Sequence, residues 1–170
     1  MLTEANINTV IADIIKTEGG FVDDLADPGG ATNFGITQDT ANQYGLGPVE
    51  QLSVGQASAA YRNMFTDWKI DQIPDIYTFW LVADSCVNHG PGNGIRFLQT
   101  ALHLVADGII GPNTLQVLSF NHDWSQVYAS VLALRLRFYG YLVESHPGVS
   151  KFDSGWMNRV AAFVSPWPVW

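Results

Sequence analysis

Apolar residues recur at helical spacing along most of the chain, and the first such stripe lies near the amino terminus. Its members occupy positions i, i+3, i+4, i+7 and i+8: Ile7, Val10, Ile11, Ile14 and Ile15. This spacing places all five side chains on one face of a helix. Thr3 before the stripe is a typical N-cap residue and Gly19 after it is a typical stop. The pattern therefore predicts a helix between these two residues.

Start and stop signals divide most of the remaining chain into further helices. Ser53 with Gln56 three residues later has the sequence of a capping box, which opens a helix to about Phe65. Proline, glycine and aspartate signals predict five more helices: from about Asp75 to Gly90, from Pro91 through Leu102, a short one from Pro112, from Trp124 after the cap Asp123 to about Glu144, and from about Asp153 or Ser154 to Val164.

The stretch from Phe21 to Thr37 does not follow this pattern. It is rich in Gly, Asp and Asn and contains Pro28, so it predicts turns around one or two short strands. We find no internal repeat and no linker long enough to separate two domains. The fold class is therefore mainly α, with a short β-hairpin or loop region after the first helix, in a single domain over residues 1–170.

Composition and charge exclude several classes of function. The charged fraction of 14% is well below the roughly 25% of ordinary soluble domains, which argues against a disordered tail or a coiled coil. A net charge of −8 with eight Lys and Arg argues against nucleic-acid or anionic-membrane partners. No apolar run of about 18 residues and no basic amino-terminal region occur, so we expect neither a membrane span nor a signal peptide.

The sequence also predicts neither a metal nor another cofactor. Asp23, Asp24 and Asp27 offer oxygen ligands of the kind calcium prefers, but their spacing is not that of an EF-hand. The four histidines lack the paired spacing of a zinc site. Cys86 lies on the apolar face of its helix, so we expect it to be a core residue and not a nucleophile.

Glu18 is the first candidate for chemistry. It stands at the predicted end of the first helix, where the negative end of the helix dipole favours the protonated carboxylic acid. A protonated carboxylic acid is what general acid catalysis requires. The alternative is that the Glu18-Gly19 pair is an ordinary helix end with no chemical role.

The residues that follow Glu18 carry a family resemblance. The segment EGGFVDDLADPGGATNFGIT at residues 18–37 resembles the amino-terminal signature of glycoside hydrolase family 108, the N-acetylmuramidases found among phage endolysins. The later segments ADSCVNHGPG at 83–92, IRFLQ at 95–99 and ADGIIGPNTL at 106–115 resemble the peptidoglycan-binding half of this family.

The resemblance implies a lysozyme-like helical fold, with a catalytic lobe over about residues 1–70 and a peptidoglycan-binding lobe over about 71–170. It implies hydrolysis of the β-1,4 bond between N-acetylmuramic acid and N-acetylglucosamine, and it makes Glu18 the essential acid. Phe21 stands where the family has tyrosine, so we assign it no hydrogen-bonding role. His89 stands where serine is common in the family.

The second catalytic group is expected in the loop after Glu18. We favour Asp27, because nine residues of turn or hairpin can return the chain across a cleft, whereas Asp23 and Asp24 fit solvated turn positions. The hydroxyls of Thr32 and Thr37 could instead hold the water, although Thr37 also fits the N-cap of a helix from Gln38.

Substrate contacts are expected from polar and aromatic residues. Thr32, Asn33 and Asn88 are the predicted substrate-binding residues, and an amide such as that of Asn88 suits the N-acetyl groups of this substrate. Four aromatic side chains could stack on sugar faces: Tyr44, Trp68, Trp167 and Trp170.

The leading hypothesis is a monomeric, cofactor-free phage endolysin whose partner is the peptidoglycan glycan strand. It predicts a bacteriolytic protein that is made in the host cytoplasm and reaches the cell wall after release. Two alternatives remain open: a non-catalytic peptidoglycan-binding or secretion-accessory protein, and a lytic transglycosylase that cleaves the same bond without water.

Overall fold

The computed structural model describes residues 2–23, 30–120, 122–146 and 153–164. Within these ranges α-helices dominate, and the β structure comprises one two-stranded antiparallel sheet and a single bridge. The predicted mainly α, lysozyme-like class with a short hairpin after the first helix is confirmed. Contacts along the chain divide it into a first unit, Leu2–Asp71, and a second unit, which begins at Gln72.

The first unit contains three helices and the hairpin. Its elements in chain order are α1 (Glu4–Glu18), β1 (Thr32–Asn33), β2 (Ile36–Thr37), α2 (Gln38–Gln43), a 3₁₀ turn at Val49–Gln51, α3 (Val54–Asp67) and a 3₁₀ turn that begins at Ile70. Helix α1 packs on α3. The two helices bury their apolar faces, with Val10, Ile11, Ile14 and Ile15 on α1 and Ala57, Ala60, Tyr61 and Phe65 on α3.

The helix starts predicted at Thr3 and Ser53 have the expected caps. The Thr3 hydroxyl accepts from the Asn6 amide, and the Asn6 side chain accepts from Thr3 N, which completes a capping box. Ser53 and Gln56 form the same arrangement before α3. Each box provides acceptors for backbone N–H groups that the first helical turn leaves unpaired, so these short local patterns fix where α1 and α3 begin.

The second unit consists of helices α4 (Ile76–His89), α5 (Pro91–Ala101), α6 (Pro112–Leu118), α7 (Trp124–Ser145) and α8 (Asp153–Val164). Asp75 and Asp123 cap α4 and α7, while Pro91 and Pro112 begin α5 and α6, as the sequence predicts. Helix α7 packs on α4, α5 and α8 and is the central element of the unit. Cys86 is buried on α4, which confirms it as a core residue.

Candidate functional site

Glu18 is the last residue of α1, and its side chain is half-buried. The next residue, Gly19, ends the helix with a positive φ of 78° and donates its N–H to Ile15 O at 3.1 Å. The carboxyl group therefore stands at the carboxyl end of α1, as the sequence predicts, where the negative end of the helix dipole lies.

The hairpin turn beside Glu18 has an unusual backbone. Asn33 pairs with Ile36 across a two-residue loop in which Phe34 and Gly35 have φ values of 54° and 74°. Two positive φ values are the mark of a type I′ turn, whose twist matches that of the strands. Glycine adopts this conformation freely, but a bulky residue such as Phe34 does so under strain. The strained turn is thus held in place by the structure around it.

Gly35 lies directly against the Glu18 side chain. A Cβ atom at this position would stand 2.6 Å from Glu18 Cγ, 3.0 Å from Glu18 Cδ and 2.7 Å from the Tyr61 hydroxyl. These distances are far below ordinary carbon contacts of about 3.5 Å or more. The site therefore requires glycine for two reasons: the positive φ, and the space that the Glu18 side chain occupies.

Tyr61 completes this arrangement from α3. Its side chain is fully buried, and its hydroxyl donates to Phe34 O at 2.7 Å. This hydrogen bond fixes the turn to the α1–α3 core. In the sequence Tyr61 reads as one more member of an apolar helical face, so only the contact across 27 residues shows its role.

The hairpin strands hold the predicted residues Thr32 and Asn33. Asn33 is buried, and its amide Nδ2 donates to Val49 O at 3.0 Å and, more weakly, to Leu52 O at 3.5 Å. Half-buried Thr32 forms a two-way backbone bridge with Val22, with both N–O distances 2.8 Å. The bridge pairs two residues that flank residues 24–29, and Asp27 is among those residues, which lie outside the described part of the chain.

Thr37 acts as a helix cap. Its hydroxyl oxygen accepts from Thr40 N at 3.2 Å at the start of α2, so the N-cap interpretation is confirmed. Asp23, one of the alternative acids, is exposed.

Asn88 lies in the second unit, in the last turn of α4, and is half-buried. Its Oδ1 accepts from the Tyr139 hydroxyl at 3.0 Å. The same hydroxyl oxygen faces Arg135 Nε and Nη2 at 3.4 and 3.2 Å, and both of these atoms are donors. The single phenolic proton must therefore go to the amide oxygen. This fixes the rotation of the amide and makes its NH₂ group the donor end.

A buried ionic cluster supports Tyr139. Asp84 pairs with Arg135 at 2.6 Å and with Arg159 at 2.6 Å, and the Arg135 and Asp84 side chains are almost completely inaccessible to solvent. Arg135 Nη1 has no hydrogen-bond partner among the described residues. Two guanidinium groups face one carboxylate, so the cluster carries an excess positive charge inside the protein. Sequence reasoning missed this cluster, because its members come from α4, α7 and α8.

His89 lies next to this cluster among aromatic rings. Its ring centroid is 4.9 Å from that of Tyr139 and 5.1 Å from that of Phe138, both edge-on. Burial, with a further contribution from the Arg135 charge, lowers the pKa of His89 to about 3. The imidazole is therefore neutral at physiological pH and acts as part of the aromatic core.

Two of the four aromatic candidates for sugar stacking are described. The Tyr44 hydroxyl donates to Asp67 at 2.8 Å, and burial together with that carboxylate raises the pKa of Tyr44 to about 12. Half-buried Trp68 lies 6.2 Å from Phe65, measured between ring centroids. Trp167 and Trp170 lie outside the described residues.

The described residues include no cluster of three or more His, Cys, Asp or Glu side chains placed to hold a metal ion. None of their helices is both long and apolar enough to cross a membrane.

Fold and site together define a helical protein with a carboxylic acid held at the end of its first helix by a strained hairpin turn. Residues 11–90 match the family profile of Glycosyl hydrolase 108, and residues 93–161 match the Predicted Peptidoglycan domain. The two matches follow one another in the order that the sequence resemblance predicts, and they confirm that resemblance.

One similar solved structure is that titled "Structure of Brucella abortus SagA". It shares 26% sequence identity, covers 96% of this chain and 94% of its own, and superposes with a TM-score of 0.79. No curated protein matches the chain significantly. The two family matches support a glycosidase that acts on peptidoglycan.

Proposed function

We propose that the protein is a muramidase that hydrolyses the β-1,4 bond between N-acetylmuramic acid and N-acetylglucosamine, with Glu18 as the general acid. The observation that carries this proposal is the close approach of Gly35 to the Glu18 carboxyl group, in a turn held by the buried Tyr61. A catalytic acid must stay within a fraction of an ångström of its working position, and this packing restricts its movement.

In this mechanism Glu18 transfers its proton to the glycosidic oxygen as the bond from that oxygen to the anomeric carbon breaks. The departing sugar leaves with a free hydroxyl group, and the remaining sugar passes through an oxocarbenium-like state. A water molecule then adds to the anomeric carbon and gives up a proton. We assign the receipt of this proton to Asp27, which lies in the sequence between the bridged residues Val22 and Thr32.

Thr32 and Asn33 have different roles in this proposal. The Asn33 amide is engaged by Val49 O, so Asn33 acts by holding the hairpin in place beside Glu18. The half-buried Thr32 is the hairpin residue that we assign to contact with substrate or with the attacking water.

Asn88 contributes from the second unit. Because Tyr139 fixes its amide oxygen, the amide NH₂ is oriented to donate. A donor of this kind pairs with a carbonyl oxygen, and both sugars of the peptidoglycan strand carry one in their N-acetyl group. We therefore assign Asn88 to recognition of an N-acetyl carbonyl. Bacteriolysis as a phage endolysin, acting as a monomer on the cell wall, is the biological setting that we propose for this activity.

The test uses purified peptidoglycan sacculi and measures the release of reducing muramic acid ends. Glu18→Gln keeps the size of the side chain but cannot donate the acid proton, so release should disappear while the far-ultraviolet circular dichroism spectrum is unchanged. Asp27→Asn should lower release strongly, and Asp23→Asn, which changes an exposed aspartate four residues earlier in the chain, is its matched control.

Three other outcomes would contradict parts of this proposal. Equal release by wild type and Glu18→Gln removes Glu18 from the mechanism. Products lighter by one water molecule, with a 1,6-anhydro end, identify a lytic transglycosylase. Binding to sacculi without release by the wild-type protein identifies a non-catalytic peptidoglycan-binding protein.

A further inference from the structure

A groove of about 630 Å³ lies on the second unit, formed by residues of α6, the start of α7 and the segment before α4. Its size falls within the roughly 300–1,000 Å³ of small-molecule sites in proteins. The groove lining includes Gln72, Leu115, Leu118, Ser119, Phe120 and Trp124.

Two aromatic side chains, Phe120 and Trp124, belong to this lining. Phe120 is 55% exposed and Trp124 is half-buried, so both rings are accessible from solvent. His122 stands beside both, with its ring centroid 5.2 Å from Trp124 and 6.4 Å from Phe120. A hydrogen-bond contact of 2.7 Å between His122 Nε2 and Val117 O ties this histidine to the end of α6. His122, which contacts both rings, is therefore held in place by a backbone carbonyl of α6.

The charges around the groove select between the two components of peptidoglycan. None of the described residues that line it carries a charge. Asp123, next to Trp124 in the chain, has a carboxylate that accepts from Ser125 and Gln126 as the cap of α7. Stem peptides carry carboxylates, and the described lining offers them no Lys or Arg as an ion-pair partner. A neutral sugar needs no such partner, so this lining favours the glycan strand.

Aromatic rings bind sugars through the C–H groups of the sugar ring, which pack against the negative face of the π system. Gln72 and Ser119 add polar groups at the groove, where sugar hydroxyls and N-acetyl groups need hydrogen-bond partners. The groove combines an apolar wall, two accessible aromatic rings and polar groups, and its described lining residues carry no charge. These features together fit one class of ligand, a neutral sugar.

We propose that this groove is a glycan-binding subsite, which takes a short stretch of neutral β-1,4-linked N-acetylhexosamine strand by stacking on Trp124 and Phe120. The inference rests on the proposed action on peptidoglycan and specifies which part of that polymer the second unit binds. The described residues that line the groove all belong to the second unit, and Glu18 is not among them.

The experiment titrates chitotriose, the neutral trimer of N-acetylglucosamine, into the full-length Glu18→Gln protein, which binds without turnover. Indole N–H resonances are followed by ¹H–¹⁵N nuclear magnetic resonance, and the signal of Trp124 is identified by its loss in Glu18→Gln with Trp124→Ala. Tyr141→Ala is the matched control, because Tyr141 is an exposed aromatic residue of the same helix outside the groove.

We expect the Trp124 indole signal to shift on titration and the affinity to fall about tenfold in Trp124→Ala and in Phe120→Ala, with no change in Tyr141→Ala. Circular dichroism verifies that each variant is folded. An unmoved Trp124 signal, an affinity unchanged by Trp124→Ala, or tighter binding of a free stem peptide than of chitotriose overturns the proposal. Release of reducing ends by the wild-type protein is measured in the same series. Release without a response of Trp124 to chitotriose would refute the subsite alone, whereas absence of release would refute the proposed muramidase activity.

Discussion

Substitution of Gly35 by alanine tests the packing that holds Glu18. The new Cβ would stand 2.6 Å from Glu18 Cγ and 2.7 Å from the Tyr61 hydroxyl, whereas carbon atoms normally approach no closer than about 3.5 Å. The Glu18 side chain, the turn or both must therefore move by roughly 1 Å. A misplacement of this size at a catalytic group costs about 10²-fold in rate.

Gly45→Ala is the matched control for the backbone. Gly45 has a φ of 65°, close to the 74° of Gly35, but a Cβ there meets no atom within 4 Å. Both substitutions place an alanine in the left-handed region, at a cost of about 1–2 kcal/mol. Overpacking adds about 1–3 kcal/mol in Gly35→Ala alone. The difference between the two variants isolates the contact with Glu18 and Tyr61.

Two assays measure the result. Urea denaturation gives the free energy of unfolding, which should fall further in Gly35→Ala than in Gly45→Ala. Release of reducing ends from sacculi should fall about 100-fold in folded Gly35→Ala and should not change in Gly45→Ala. If Gly35→Ala keeps an activity within about threefold of Gly45→Ala, the proposed positioning of Glu18 by the turn is wrong. Equal stabilities would show that the close contact itself is relieved without cost.

Three further predictions concern the second unit. Asp84→Asn should destabilise the protein by about 3–5 kcal/mol, because it leaves two guanidinium groups in the interior without their carboxylate. Arg135→Met should lower the free energy of unfolding, measured by urea denaturation, by less than Asp84→Asn does, since Asp84 keeps its ion pair with Arg159. A larger loss in Arg135→Met than in Asp84→Asn would contradict this account. The folded-state pKa of His89, about 3, lies below its ordinary value of 6.5, so the unfolded chain takes up a proton first as the pH falls. Stability should be complete above about pH 6.5 and should decline towards pH 3 by at most ~1.4 kcal/mol per pH unit; His89→Phe should remove this component, and equal pH slopes of the two proteins would refute it. Tyr139→Phe should raise KM severalfold with kcat nearly unchanged, as should Asn88→Ala, because Tyr139 positions the amide; an unchanged KM in a folded Tyr139→Phe protein would exclude this role.

Most helices could be predicted from the sequence because their determinants are local. Thr3 with Asn6, and Ser53 with Gln56, are three residues apart and form their capping boxes without any contribution from the rest of the fold. The apolar spacing that follows each cap then determines which face is buried. Helix bounds set by such signals differ from the structure by no more than a residue or two.

The candidate acid could also be predicted, because its helix end and the motif after it are contiguous in the chain. Its surroundings could not be predicted in this way. The sequence describes Tyr61 as a core residue and Gly35 as a turn residue, and neither pattern shows that Gly35 packs against the Glu18 side chain or that Tyr61 anchors the same turn. The positive φ of Phe34 is likewise a consequence of the turn, because no intrinsic preference of phenylalanine favours it.

Sequence alone thus determined the helices, their caps, the family resemblance and the position of Glu18, since each of these depends on residues close together in the chain. Tertiary structure alone decided which charges are buried and which polar groups are fixed. Arg159 and Asp84 are 75 residues apart, yet they share one ion pair. From the sequence alone an arginine such as Arg135 is expected at the surface, but in the structure it is completely buried. Burial and long-range pairing depend on how the helices pack, and this packing is determined by residues from the whole chain and not by any short segment of it.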